Sequence, residues 1–153
     1  MKKILFVFGF IIIFYYFSSN LFLKYIEIPE NAIRLRVIPN SNDKKDQSIK
    51  EKVKLNVQKE MSQMLYNIDN INVAREKIKS NINNIKKSVK KTLSNEGYDI
   101  EYKIDFGYNY FPEKKYKGII YNEGYYESVL ITLGKGEGDN WWCVLFPPLC
   151  LLE

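Results

Sequence analysis

An α+β fold, with two helices packed on one face of a mainly antiparallel sheet, is predicted by the order of patterns along this 153-residue chain. A short stretch at 33–37 alternates apolar and cationic residues. Two long runs with apolar residues every three or four positions follow it, and the rest is dense in alternating aromatic and β-branched residues. A strand, a helix pair and several strands in that order bury their apolar sides most simply as two layers.

Each element has its own warrant. In Ile33-Arg34-Leu35-Arg36-Val37 the period of two marks a half-buried strand, and Pro39 stops it. Asn40, Ser41, Asn42 and Asp43 offer N-cap oxygens to a helix striped by Ile49, Val53, Val57, Met61, Met64, Leu65 and Ile68. Asn70 and Asn72 separate it from a second helix, striped by Ile78, Ile82, Ile85, Val89 and Leu93 and closed by Gly97 in a left-handed cap. At 98–106, Tyr98, Ile100, Tyr102, Ile104 and Phe106 alternate with Asp99, Glu101, Lys103 and Asp105, as in a strand with one wet face. Residues 118–121 and 125–133, joined through Asn122-Glu123-Gly124, read as a hairpin. The last strand is expected at 142–146.

The N-terminus is a different kind of sequence. Lys2 and Lys3 precede an apolar run from Ile4 to Phe17, the shape of an export signal. Beyond Ser18-Ser19-Asn20 the apolar character resumes, and Ile4 to Leu23 is about 20 residues, enough to span a bilayer as a helix. Residues 1–24 are therefore read as a signal peptide or a retained anchor, with membrane contact through this segment. Residues 25–153 form one exported domain, its outside placement set by the two lysines.

Composition excludes several chemistries. A formal charge of +5 without a recognisable module argues against a nucleic-acid binder. There is no histidine, which removes imidazole-based acid–base catalysis, histidine triads and imidazole zinc sites. Asp99, Glu101 and Asp105 fall on the wet strand face, so no carboxylate pair is singled out for glycoside hydrolysis. The glycine loop Gly134-Lys135-Gly136-Glu137-Gly138 lacks the Gly-Lys-Ser/Thr ending of a phosphate loop and precedes a strand, so it is expected to be a mobile connector. No enzyme emerges, and neither a cofactor nor a metal is expected.

Both tryptophans and both cysteines lie in Asn140-Trp141-Trp142-Cys143-Val144-Leu145-Phe146-Pro147-Pro148-Leu149-Cys150. Adjacent tryptophans in a strand project to opposite faces, so one indole meets something other than the core. Cys143 and Cys150 flank a proline-stiffened turn; an exported domain with an even cysteine count favours a disulfide there, with two reduced thiols as the alternative.

This block resembles the C-terminal signature of the stage II sporulation protein R family. Similar blocks lie upstream in Ile33 to Asn42, Asp46-Gln47, Phe111-Pro112 with Tyr116 and Gly118, and Gly124-Tyr125-Tyr126-Glu127, so the resemblance runs from about residue 33 to 150. Pro39 and Glu113-Lys114-Lys115 depart from the family pattern. The resemblance implies a signalling role. In that family the protein is exported from the forespore into the space between forespore and mother cell. There it triggers a membrane-embedded aspartic protease that cleaves the sigma factor E precursor. On this reading Trp141, Trp142 and Phe146 are the central partner-binding candidates, with Phe111, Pro112, Tyr116 and Gly118 secondary. A cell-wall hydrolase or a passive envelope-anchored domain are the alternatives.

Overall fold

A computed structural model of the chain describes residues 9, 11–15, 31–116 and 119–149. The first strand, β1 (Ile33–Ile38), buries Ile33, Leu35 and Val37 completely on its helix side. Of its two cationic residues, Arg36 is half-buried and Arg34 does not face water as a half-buried strand requires. Arg34 is 4% exposed, because the second face of the sheet is covered as well.

Two helices follow. α1 (Lys44–Leu65) buries Ile49, Val53, Val57, Met61 and Leu65 along one stripe, with Met64 and Ile68 packed at its margin. Its N-cap, Asp43, is extended but makes no side-chain cap bond. α2 (Ile71–Asn95) buries Ala74, Ile78, Ile85, Val89 and Leu93, and Ile82 packs beside them. Asn70 caps it, its side chain accepting from Asn72 N at 2.8 Å and Val73 N at 3.4 Å. Gly97 sits at φ 58°. Its N–H donates to Ser94 O at 3.1 Å, and Tyr98 N donates to Leu93 O at 3.0 Å, the paired closure that a left-handed residue makes possible.

The main sheet comprises β2 (Tyr102–Phe111), β5 (Gly124–Leu133), β1 and β6 (Trp141–Phe146), hydrogen-bonded in the order β2-β5-β1-β6. The β2–β5 and β1–β6 ladders are antiparallel, and β1–β5 is parallel. The fold is thus α+β with a mixed, mostly antiparallel sheet. Helix stripes and the inner faces of β1, β5 and β6 share one core.

Two strand expectations are corrected. Residues 98–101 stand outside β2. Tyr98 is held by Asp46 instead, and Gly134 N donates to Glu101 O at 2.8 Å where the ladder ends. The hairpin expected between 118–121 and 125–133 does not form either. β4 (Ile119–Tyr121) pairs with β3 (Lys114–Tyr116), while β5 pairs with β2 from Phe111↔Gly124 to Tyr102↔Leu133. Two ten-residue strands of matching alternation outcompete a three-residue partner for that edge.

Among the described residues no helix is long and apolar enough to cross a membrane. Gly9 and 11–15 are helical, and Ile11, Ile12, Ile13, Phe14 and Tyr15 are all more than half exposed. The rest of the 1–24 segment lies outside the described residues.

Candidate functional site

The face of the sheet turned away from the helices carries an arginine–aromatic cluster. Alternation along β1 sends Arg34 and Arg36 to that face, and the β6 register sets Trp142 opposite Arg36. The Arg34 Cζ lies 3.3 Å from the ring centroid of Tyr126, 5.4 Å from Phe111 and 5.3 Å from Trp142. The Arg36 Cζ also stands 5.4 Å from the Phe111 centroid. The rings meet edge to face: Phe111–Trp142 at 5.6 Å, Phe111–Tyr126 at 6.0 Å and Tyr121–Trp142 at 4.6 Å. Arg36 Nη1 donates to Tyr110 O at 2.9 Å, so the far end of the β2–β5 ribbon bends over this face to reach β1.

Among the described residues no Asp or Glu forms an ion pair with Arg34 or Arg36. Arg34 Nε, Arg34 Nη1 and Arg36 Nε are buried without an acceptor. Burial draws both guanidiniums below their ordinary value, although an arginine stays charged at neutral pH. Contact with an aromatic face returns about 0.5–2 kcal/mol, whereas burying an unpaired ion costs several kcal/mol. The rings offset only part of that penalty.

A second cluster joins three segments singled out in the sequence. Asp46, at the start of α1, accepts from Asn40 Nδ2 at 2.8 Å, Ser41 Oγ at 2.7 Å and the Tyr98 hydroxyl. These bonds, Tyr98's first, hold its carboxyl below the usual carboxylate range. Burial and then Asp46 push the Tyr98 phenol up to about 12. Gln47 Nε2 donates to Ser41 O at 3.2 Å and Asn42 Oδ1 at 3.0 Å. The glycine loop is tied down on the same knot, in contrast to the free connector expected of it. Lys135 N donates to Asn40 Oδ1 at 3.0 Å, Glu137 N to Asn40 O at 3.2 Å, Gly138 N to Pro39 O at 3.3 Å and Asp139 N to Asn42 Oδ1 at 2.6 Å. Gly134 (φ 56°) and Gly136 (φ 68°) supply the left-handed turns this path needs.

The structure distributes the partner-binding candidates over several places. Trp142 belongs to the outer cluster. Trp141 projects to the helix side, where Lys54 Nζ lies 5.1 Å from its ring, and Phe146 packs against the core on that side too. Phe146 also lines a groove of about 390 Å³ with Ile68, Ile71, Pro147 and Pro148. Phe111 is fully buried, so it cannot serve as a direct contact surface in this state; it is the ring between both arginines. Pro112 is exposed, Tyr116 lies in β3, and Gly118 is outside the described residues. Cys143 is disulfide-bonded, and Cys150, its candidate partner, is outside the described residues.

The large aromatics that do face solvent are Tyr108 (74% exposed), Tyr125 (71%) and Tyr110 (46%). Tyr110 and Tyr125 meet edge to face at 5.6 Å, and the Tyr110 hydroxyl donates to Glu123 at 2.7 Å. Below them, Arg75 of α2 clasps Glu127 of β5 through Nε–Oε1 at 2.6 Å and Nη2–Oε2 at 2.7 Å. Sequence reasoning missed both arginines of the outer cluster. The signal was their regular spacing beside the aromatic-rich β5.

Asp99, Glu101 and Asp105 are exposed, and among the described residues no group of three or more acids and thiols is arranged to hold a metal. This geometry suits adhesion through rings and guanidiniums.

Comparison with known proteins agrees in one direction. The family model described as Stage II sporulation protein R (spore_II_R) matches residues 29–153. Stage II sporulation protein R of Bacillus subtilis (strain 168) is 44% identical over 128 residues, covering 84% of this chain and 57% of that protein. The chain thus spans little more than half the length of the curated relative it matches. No solved structure matches.

Proposed function

Because the chain belongs to the stage II sporulation protein R family, we propose that it is an exported sporulation signal that activates a membrane-embedded aspartic protease. That protease then processes the sigma factor E precursor in the mother cell. The chain itself breaks no bond; it acts by binding.

Two observations carry this reading: exposed tyrosines at the end of the β2–β5 ribbon, in phase with its helix-side residues, and the cluster of arginine, tryptophan and phenylalanine on the opposite, outer face. Trp, Tyr and Arg dominate the energetics of protein interfaces. The exposed apolar helix at 11–15 supports an export or anchoring role for the N-terminal segment. An activator must favour the active form of its receptor, and a shift from 1:99 to 99:1 needs about 5.5 kcal/mol of differential affinity. Two or three hot-spot side chains at 2 kcal/mol or more each reach that order.

The test is co-expression with the protease and its sigma-factor precursor in a non-sporulating host, scoring cleavage with and without this chain. Trp142→Ala is expected to abolish cleavage. Since Trp142 also packs within the outer cluster, the exposed pair Tyr108→Ala and Tyr125→Ala separates binding from folding. The pair should leave yield and export unchanged and reduce cleavage at least tenfold. Full cleavage by both variants, or cleavage without the chain, sinks the proposal.

A further inference from the structure

We propose that Arg34 and Arg36 form an acceptor site for a carboxylate side chain, Asp or Glu, presented by a protein partner. Arg34 is 4% exposed, and its Nε and Nη1 lack any acceptor, as does Arg36 Nε. Both guanidiniums flank the single ring of Phe111, each Cζ 5.4 Å from its centroid. Two cations on one ring repel each other, and the rings of Tyr126 and Trp142 stand against Arg34 without neutralising it.

Among the described residues, polar groups of the same face supply no anion. Asn109 Nδ2 donates to Ser128 Oγ at 3.0 Å, so these two satisfy each other. Asp105 shares the register of Arg36 two strands away, both opposite Leu130, yet it stays exposed and makes no ion pair with it. The contrast with Arg75 is instructive: facing the helix side, that guanidinium has its carboxylate, Glu127, in bidentate contact. Arg36 is only half-buried and is the more accessible of the two guanidiniums.

The occupant follows from the walls. Carboxylate oxygens accept several hydrogen bonds and match the planar donors of guanidinium. Aromatic walls disfavour a strongly hydrated inorganic dianion and favour an acid carried on an apolar stem, as a side chain of a docking protein is. Burial lowers both arginines, and at Arg34 the Tyr126 side chain opposes that shift. The proposal rests on the reading of this chain as a ligand for another protein, and it specifies the chemistry at the contact.

The test is a titration of the full chain in detergent micelles, following the arginine Nε–H signals by NMR at constant ionic strength. The probes are the capped peptides Gly-Glu-Gly and Gly-Gln-Gly, and inorganic phosphate. The Glu peptide should move the Arg34 and Arg36 signals saturably, at least tenfold more tightly than the Gln peptide, with Arg75 unmoved. Arg36→Gln should abolish the response. Equal response to Glu and Gln peptides, or movement with phosphate alone, overturns the site. That outcome leaves activation of the protease standing, since it is read separately by precursor cleavage. A positive titration with no cleavage overturns the signalling role alone.

Discussion

Removing the carboxylate of Asp46 tests whether the knot around it holds the fold together. Asp46 is buried and accepts from three side chains belonging to the β1–α1 loop and the segment after α2. A hydrogen bond to a charged group contributes about 1.5–3 kcal/mol. Asn40 and Ser41 are half-buried and can rebond to water, whereas Tyr98 loses its partner more completely. The three bonds together then amount to about 3 kcal/mol for Asp46→Ala. For a chain of this length that is roughly a 10 °C fall in Tm. The pH dependence gives a second readout. The folded carboxyl sits below its unfolded value, so its stabilisation is present above the ordinary aspartate range near pH 4 and is lost as pH falls through the depressed value. Circular dichroism melts of both forms should therefore differ most at pH 7 and converge toward pH 3. A gap that stays constant across that range, or one below about 0.5 kcal/mol, refutes the reasoning.

Two further predictions concern other ties. Glu127→Gln breaks the bidentate clasp with Arg75 that joins α2 to β5. Because Glu127 is nearly buried and Arg75 is partly exposed, urea unfolding should show a loss of about 2 kcal/mol. Gly138→Ala would place a Cβ 2.5 Å from the carbonyl carbon of Ser41 and 2.7 Å from Pro39 Cγ. The urea midpoint should fall by the equivalent of about 1–3 kcal/mol, and hydrogen exchange should quicken at Lys135 and Asp139, whose N–H groups depend on that loop.

Both helices were legible because a period near 3.6 survives any tertiary context. The stripes from Ile49 to Leu65 and from Ile78 to Leu93 are those that pack. The closing turn at Gly97 was legible for a local reason too, since only a residue tolerant of positive φ ends a helix that way. Strand pairing was not. Alternation tells which residues share a face but carries no information on the neighbour, so β4 was assigned to β5 in place of β3. The same gap hid the arginine cluster. Alternation put Arg34 and Arg36 on the second face of β1, and nothing local said that Phe111, Tyr126 and Trp142 would close over them. The glycine loop looked free because its anchors, Asn40 and Asn42, lie about a hundred residues earlier.

β1 occupies an interior position whose two neighbours, β5 and β6, come from the far end of the chain. The first of the described strands to be synthesised therefore waits longest for its ladders, and those pairings close loops of about 94 to 113 residues. Such long-range closure slows folding relative to the two local helices. A nascent chain of this design cannot complete the ladders on both sides of β1 until β6 has emerged.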